Sequence, residues 1–220
     1  MTTTPPSADD RRAQPIPQPA QAGPAAPLTA EQLDQLAHAK LRAKKVRKAG
    51  CVAMANGYTL AVFSGGSFLF AVASVMFGEL DVIGLVMGVG LALVAWNEFR
   101  GRAMLLRFEL RGCRVLGWNQ LGLMAMVIGY AAWMLGKALW GANPYEDAMA
   151  REATLTGPLG SIGQLYKTIS LAIYCGLIAG TLIFQGLNSL YYFTRRKHVE
   201  AYLRKTPEWV VELQRRSVAG

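Results

Sequence analysis

The residues of this chain whose types and spacing could do chemistry are amides. Asn56, Asn97, Asn119 and Asn188 fall in four separate apolar stretches, and Gln120 and Gln185 sit close to two of them. An amide both donates and accepts, so a group of them can hold a headgroup, an ion or a small polar solute. The same group can also simply tie helices together, at roughly 0.6 kcal/mol per interhelical hydrogen bond. The tie is the plainer reading, and the sequence leaves both open. Thr181, Gln185 and Asn188 follow i, i+4, i+7 spacing, and Asn56, Thr59 and Ser67 nearly share a face. An unpaired amide is costly in hydrocarbon, so these faces are expected to point inward.

Other chemistry is thin. His38 and His198 are the only histidines and lie outside the apolar stretches. Ligation of haem by paired histidines and histidine-based hydrolysis therefore lack their residues. No zinc-ligand cluster and no glycine-rich phosphate loop after a strand is present in the sequence. Cys51, Cys113 and Cys175 are not placed as a pair on an oxidising side and read as reduced thiols. No catalytic, cofactor or metal residue is assigned, and the chain reads as non-enzymatic. Glu98, at the edge of the second apolar stretch, is expected to pair with nearby Arg100 or to snorkel to the headgroups with it. Lys137, with Trp140 a turn beyond, is close enough to a surface to snorkel too. Ser64-Gly65-Gly66-Ser67 could kink or unwind a helix, although close packing is the plainer account. Gly84 with Gly88, and Gly176 with Gly180, have the G-xxx-G spacing of helix-packing faces.

These residues need elements to position them. Of 220 residues, 52% are hydrophobic and 17% charged, whereas about 25% charged is usual in soluble domains. The charges gather in clusters and leave four apolar gaps. A helix crossing a bilayer needs ~20 apolar residues. The gaps predict spans over 52–77, 80–99, 115–140 and 168–192, the second being the shortest. Four such segments leave too little polar surface to cover them in water.

Basic residues set the expected orientation, because Lys and Arg are retained on the cytoplasmic side. Lys40, Arg42, Lys44, Lys45, Arg47 and Lys48 precede the first span. Arg100, Arg102, Arg107, Arg111 and Arg114 join the second to the third, and Arg195, Arg196 and Lys197 follow the fourth. The other two connections carry Glu79 and Asp81, and Glu146, Asp147 and Glu152. This alternation places both termini in the cytoplasm. The net charge of +9 then reports orientation and attraction to anionic headgroups; nucleic acid is not an expected partner.

Most of the ten prolines fall in residues 1–28, which have too few large apolar side chains to fold and read as a disordered arm. Thr29 and Gln32 fit a capping box opening a basic juxtamembrane helix over 29–50. The four-helix transmembrane domain covers 51–193. The tail over 194–220 reads as an interfacial amphipathic helix, with Val199, Tyr202, Leu203, Trp209, Val210 and Leu213 facing lipid or bundle and a second start at Thr206-Pro207. Gly50-Cys51 and Gly112-Cys113 open two halves of weak likeness, which fit either parallel repeats or chance.

Ala95-Trp96-Asn97-Glu98, Trp118-Asn119-Gln120-Leu121 and Tyr191-Tyr192-Phe193-Thr194-Arg195-Arg196 resemble segments of uncharacterised small bacterial inner-membrane proteins. That resemblance implies a location and brings no activity, ligand or cofactor.

The expectation is an all-α four-transmembrane-helix bundle in the cytoplasmic (inner) membrane. Its expected role is to bind a partner or lipid. Lys44, Lys45, Arg47, Lys48, Arg195 and Arg196 would meet anionic lipid headgroups, and the glycine faces would meet a membrane-protein partner or a second copy. The alternative is a transporter or channel subunit for a small solute or ion, built on the polar cluster.

Overall fold

The computed structural model describes residues 27–78, 80–141 and 162–219. Nearly all of the proline-rich arm, Glu79, and the connection bearing Glu146, Asp147, Arg151 and Glu152 lie outside the described residues. Five helices follow in chain order: α1 (Ala30–Met76), α2 (Val82–Leu106), α3 (Leu110–Trp140), α4 (Ile162–Lys205) and α5 (Glu208–Ala219). Among the described residues there is no strand.

Helix α1 starts at the capping box. Thr29 N–H donates to Gln32 Oε1 at 3.0 Å, and Gln32 N–H to Thr29 Oγ1 at 3.3 Å. It then runs 47 residues without proline, so the basic segment and the first apolar segment form one rod. The Ser64-Gly65-Gly66-Ser67 stretch stays helical. Gly78, at φ 84°, makes the turn that ends it. Asp81 caps α2, accepting from Gly84 N–H at 2.8 Å.

Helix α2 has 25 residues, about 37 Å at 1.5 Å per residue, against ~30 Å of hydrocarbon. The second apolar stretch is thus long enough because the helix continues through Asn97 and Glu98 to Leu106. Glu98 does not snorkel: it is 0% exposed.

Four helices are long and apolar enough to cross a membrane, which is the architecture of a multi-pass membrane protein. Their outer faces carry large exposed apolar side chains, among them Phe63, Phe70, Trp96, Trp133, Phe184 and Leu187. Such a continuous apolar surface suits lipid and not water. Helix α1 packs chiefly along α2, and α3 along α4, with α2 against α3 joining the pairs. Ser64 Oγ–H donates to Gly88 C=O at 2.8 Å and Ser189 Oγ–H to Gly117 C=O at 3.1 Å, one tie within each pair.

The best-filled core sits at the basic end of the bundle. Ala39, Ala43, Val46, Ala49 and Ala53 form a seam of small residues on α1. Leu105, Phe108, Leu116, Tyr192, Val199, Tyr202, Val210 and Val211 pack around that seam. The tail folds back here instead of leaving the bundle. Trp209 Nε1–H donates to Gln35 Oε1 at 3.2 Å, Arg215 Nε–H to Arg107 C=O at 3.1 Å, and Tyr202 O–H to Gln214 Oε1 at 2.8 Å. Val199, Tyr202 and Val210 are buried, while Trp209 and Leu213 keep exposed surface.

The α2–α3 turn is held by a strained residue. Phe108 has φ 57°, a left-handed conformation usually left to glycine. Phe108 N–H reaches Leu105 C=O and Glu109 N–H reaches Met104 C=O, each at 3.0 Å. The Phe108 ring stacks on Tyr202 with centroids 4.0 Å apart and planes 15° from parallel. Burial of that ring offsets the backbone cost.

Candidate functional site

Along α2, Ala95, Glu98, Gly101 and Leu105 are buried. Their spacing makes one inward stripe, with a carboxylate in the middle of it. Three neutral side chains close on Glu98. Asn119 Nδ2 and Gln120 Nε2 each donate to Oε1 at 2.8 Å, and Tyr192 O–H donates to Oε2 at 3.3 Å. Asn119 Nδ2 also reaches Val94 C=O at 3.0 Å. Asn56 Nδ2 donates to the Tyr192 hydroxyl oxygen at 3.3 Å. Side chains of α3 and α4 thus meet at the α2 carboxyl, and α1 joins the network through Tyr192.

Arg100 does not take part. Among the described residues no ion pair joins it to Glu98, and it lies exposed. Residues two apart on a helix point in different directions, so the expected pairing fails on geometry. Burying a carboxylate costs several kcal/mol even after relaxation, and the neutral donors offset only part of that.

A small chamber adjoins this hub. It holds about 110 Å³ and is lined by Asn56, Thr59, Leu60, Gln120, Leu123, Gln185 and Asn188. Gln120 is 1% exposed. Its Nε2 end is committed to Glu98, since a flipped amide would set oxygen against oxygen. Its Oε1 is buried without a hydrogen-bond partner, and so is that of Gln185. Donation to a carboxylate polarises the Gln120 amide and strengthens its oxygen as an acceptor. The chamber is thus walled by amides, two of which keep a buried, unpartnered oxygen, and one of these amides is bonded to the Glu98 carboxyl. At ~30 Å³ per molecule it has room for a few waters or one small solute. An amide-lined space of this size can bind a small polar species.

Of the six amides picked from sequence, Asn56, Gln120, Gln185 and Asn188 line the chamber. Asn119 braces Glu98 instead. Asn97 is half-buried on α2, outside the hydrogen bonds of the hub. Tyr192 does not figure in the expected polar cluster, and Glu98 is expected at the membrane edge beside Arg100 and not within that cluster. The signal for Glu98 was the small-residue spacing of Ala95 and Gly101 on either side of it.

The helix-packing glycines divide differently. A Cβ on Gly88 would lie 3.4 Å from Ser67 and Phe68 of α1, whereas one on Gly84 would meet only Asp81 of its own cap. Gly176 and Gly180 face open space. Close helix approaches occur at Gly57, where a Cβ would lie 2.9 Å from the Phe99 ring, at Gly117, 2.6 Å from that of Phe193, at Gly101, 2.5 Å from the Leu116 side chain, and at Gly90 against Met126.

Lys44, Lys45, Arg47 and Lys48 are exposed. Arg195 stacks over Tyr191, its guanidinium carbon 4.2 Å from the ring centroid. Arg196 pairs with Glu200 at 2.7 Å. At the opposite end Lys137 shares a cleft of about 460 Å³ with Asp81, Ser67 and Tyr130. Cys51, Cys113 and Cys175 are free.

Comparison of this chain with protein-family models, with curated proteins and with solved structures found no match, so its site is read from its own geometry.

Proposed function

We propose that this chain is a non-enzymatic component of a bacterial inner membrane, with its basic end and both termini in the cytoplasm. Its working site is the Glu98 chamber, and the ligand is a small monovalent cation. The observation that carries this reading is the Gln120 amide. Its nitrogen is spent on a buried carboxyl, its oxygen is buried without a partner, and it lines a chamber with Gln185, whose oxygen is likewise unpartnered. Neutral oxygens can replace part of a cation's hydration shell, and Glu98, when ionised, supplies the balancing charge. An ionisable residue inside a membrane bundle is a functional candidate in its own right.

The test is a thermal-unfolding titration of the purified chain with sodium, potassium or ammonium chloride, against choline chloride at equal ionic strength. A bound cation stabilises by about 2.7 kcal/mol at 100 times Kd. We expect one small cation to raise Tm above the choline curve and Gln185→Leu to remove that rise. Identical curves for all four salts would sink the reading. Passage across the membrane is a separate step, read as flux in liposomes of the pure protein.

A second reading, that the chain holds a membrane partner or a second copy, draws on Gly176 and Gly180, where an added Cβ would meet nothing within 4 Å among the described residues. Lys44, Lys45, Arg47 and Lys48 would then seat the basic end on anionic headgroups.

A further inference from the structure

A second polar feature lies outside the bundle, on the face shared by α3 and α4. It is a groove of about 710 Å³ lined by Leu110, Arg111, Arg114, Val115 and Trp118 of α3 and by Arg196 of α4. Positions 111, 114, 115 and 118 follow i, i+3, i+4, i+7 spacing and therefore share one helical face. Arg111 and Arg114 are exposed. Among the described residues neither has an acidic partner within ion-pair distance. Arg196 spends Nε on Glu200, which leaves most of its five N–H donors free for an anion. Three guanidiniums thus converge with one carboxylate among them, the arrangement that favours phosphate oxygens.

The rest of the groove is apolar, and this selects among phosphates. Trp118 is 64% exposed and meets Phe193 edge to face, with centroids 6.4 Å apart. Beyond Trp118 the same face of α3 continues through Gly122, Ala125 and Gly129, all exposed. A Cβ on Gly122 or Gly129 would meet nothing within 4 Å. The helix therefore carries a shallow furrow running from the arginines into the span. From Trp118 to Gly129 it measures about 16 Å at 1.5 Å per residue, close to the ~15 Å depth of one leaflet's hydrocarbon. A free phosphate or a nucleic acid would use the arginines and leave the furrow empty.

We infer that this groove is a binding site for one anionic phospholipid, its phosphate on Arg111, Arg114 and Arg196 and an acyl chain along Trp118, Gly122 and Gly129. Basic pockets between membrane helices commonly hold such headgroups. The inference rests on the membrane reading of the four helices and not on the Glu98 chamber.

The experiment is native mass spectrometry of the full chain released from nanodiscs of phosphatidylcholine containing one-fifth phosphatidylglycerol. The wild type is expected to retain one phosphatidylglycerol. Arg111→Gln with Arg114→Gln should cut that retention at least tenfold, while Arg204→Gln with Lys205→Gln, an equal loss of charge at exposed positions elsewhere, should leave it unchanged. Gly122→Phe fills the furrow at an open position and should lower retention with all arginines in place. Tm of each variant in phosphatidylcholine alone identifies any that fail to fold, and Gly122→Phe then decides. Equal loss in both charge variants, full retention in Gly122→Phe, or complete displacement of the lipid by inorganic phosphate would each overturn the inference. Gln185→Leu separates the two sites, since it should leave lipid retention intact.

Discussion

Gln120 donates its side-chain N–H to Glu98 across 2.8 Å, and both residues are buried. That single bond orients the amide. Its donor faces the Glu98 carboxyl on α2, and its oxygen is left buried without a partner beside the chamber between α1, α3 and α4. Removing either residue disturbs both places.

Glu98→Ala leaves donors of Asn119, Gln120 and Tyr192 without their common acceptor. At about 1–3 kcal/mol for each buried group left unsatisfied, this should be among the most damaging single changes in the spans. Thermal unfolding in detergent reads it. Adding Asn119→Leu and Gln120→Leu to a Glu98→Leu chain should restore part of the loss, because no orphaned amide remains. Equal stability of Glu98→Ala and wild type would show that the hub does not hold the helices.

Asn56 and Asn188 both line the chamber, but only Asn56 is bonded into the hub, through Tyr192. Asn56→Leu should lower stability by roughly 0.6 kcal/mol, the usual worth of an interhelical bond. Asn188→Leu should leave unfolding nearly unchanged and weaken the cation response. If both variants lose stability and neither alters binding, the amides are structural ties only.

Phe108 combines a left-handed backbone with a buried ring. Phe108→Ala should cost about 3–5 kcal/mol, as for other large-to-small core changes. Phe108→Gly loses the same ring but relieves about 1–2 kcal/mol of backbone strain. The glycine variant should therefore unfold at the higher temperature of the two; the reverse order would remove strain from the account of this turn.

Cys113 is 1% exposed within the basic-end core, whereas Cys51 is exposed. A maleimide probe should label Cys51 rapidly and Cys113 only when that core opens. Val210→Asp puts a charge into the core and should speed Cys113 labelling about tenfold for every 1.4 kcal/mol of local stability lost. No acceleration would mean that α5 does not help to close the core.

Gly117 and Gly176 offer a matched pair. A side chain at Gly117 would collide with Phe193, while one at Gly176 would meet nothing. Gly117→Val should destabilise the monomer, and Gly176→Val should not. If a second copy docks on the α4 face, Gly176→Val should reduce disulfide cross-linking through Cys175, one residue away. Unchanged cross-linking would remove that face from consideration.

The sequence by itself determined the four apolar helices, the start of α1 at Thr29 and the turn near Pro207. These depend on runs of apolar residues, caps and breakers, which are local and act over a few residues. It also picked out four of the amides that line the chamber, because polar residues stand out against apolar surroundings. Tertiary structure alone decided that Glu98 faces inward, that Arg100 does not meet it, and that Gln120 turns its nitrogen to the Glu98 carboxyl and leaves its oxygen buried without a partner. Those outcomes depend on which helix lies beside which and at what rotation. Asn56, Glu98, Gln120 and Tyr192 sit on four different helices, far apart in the chain, and become neighbours only when the bundle closes.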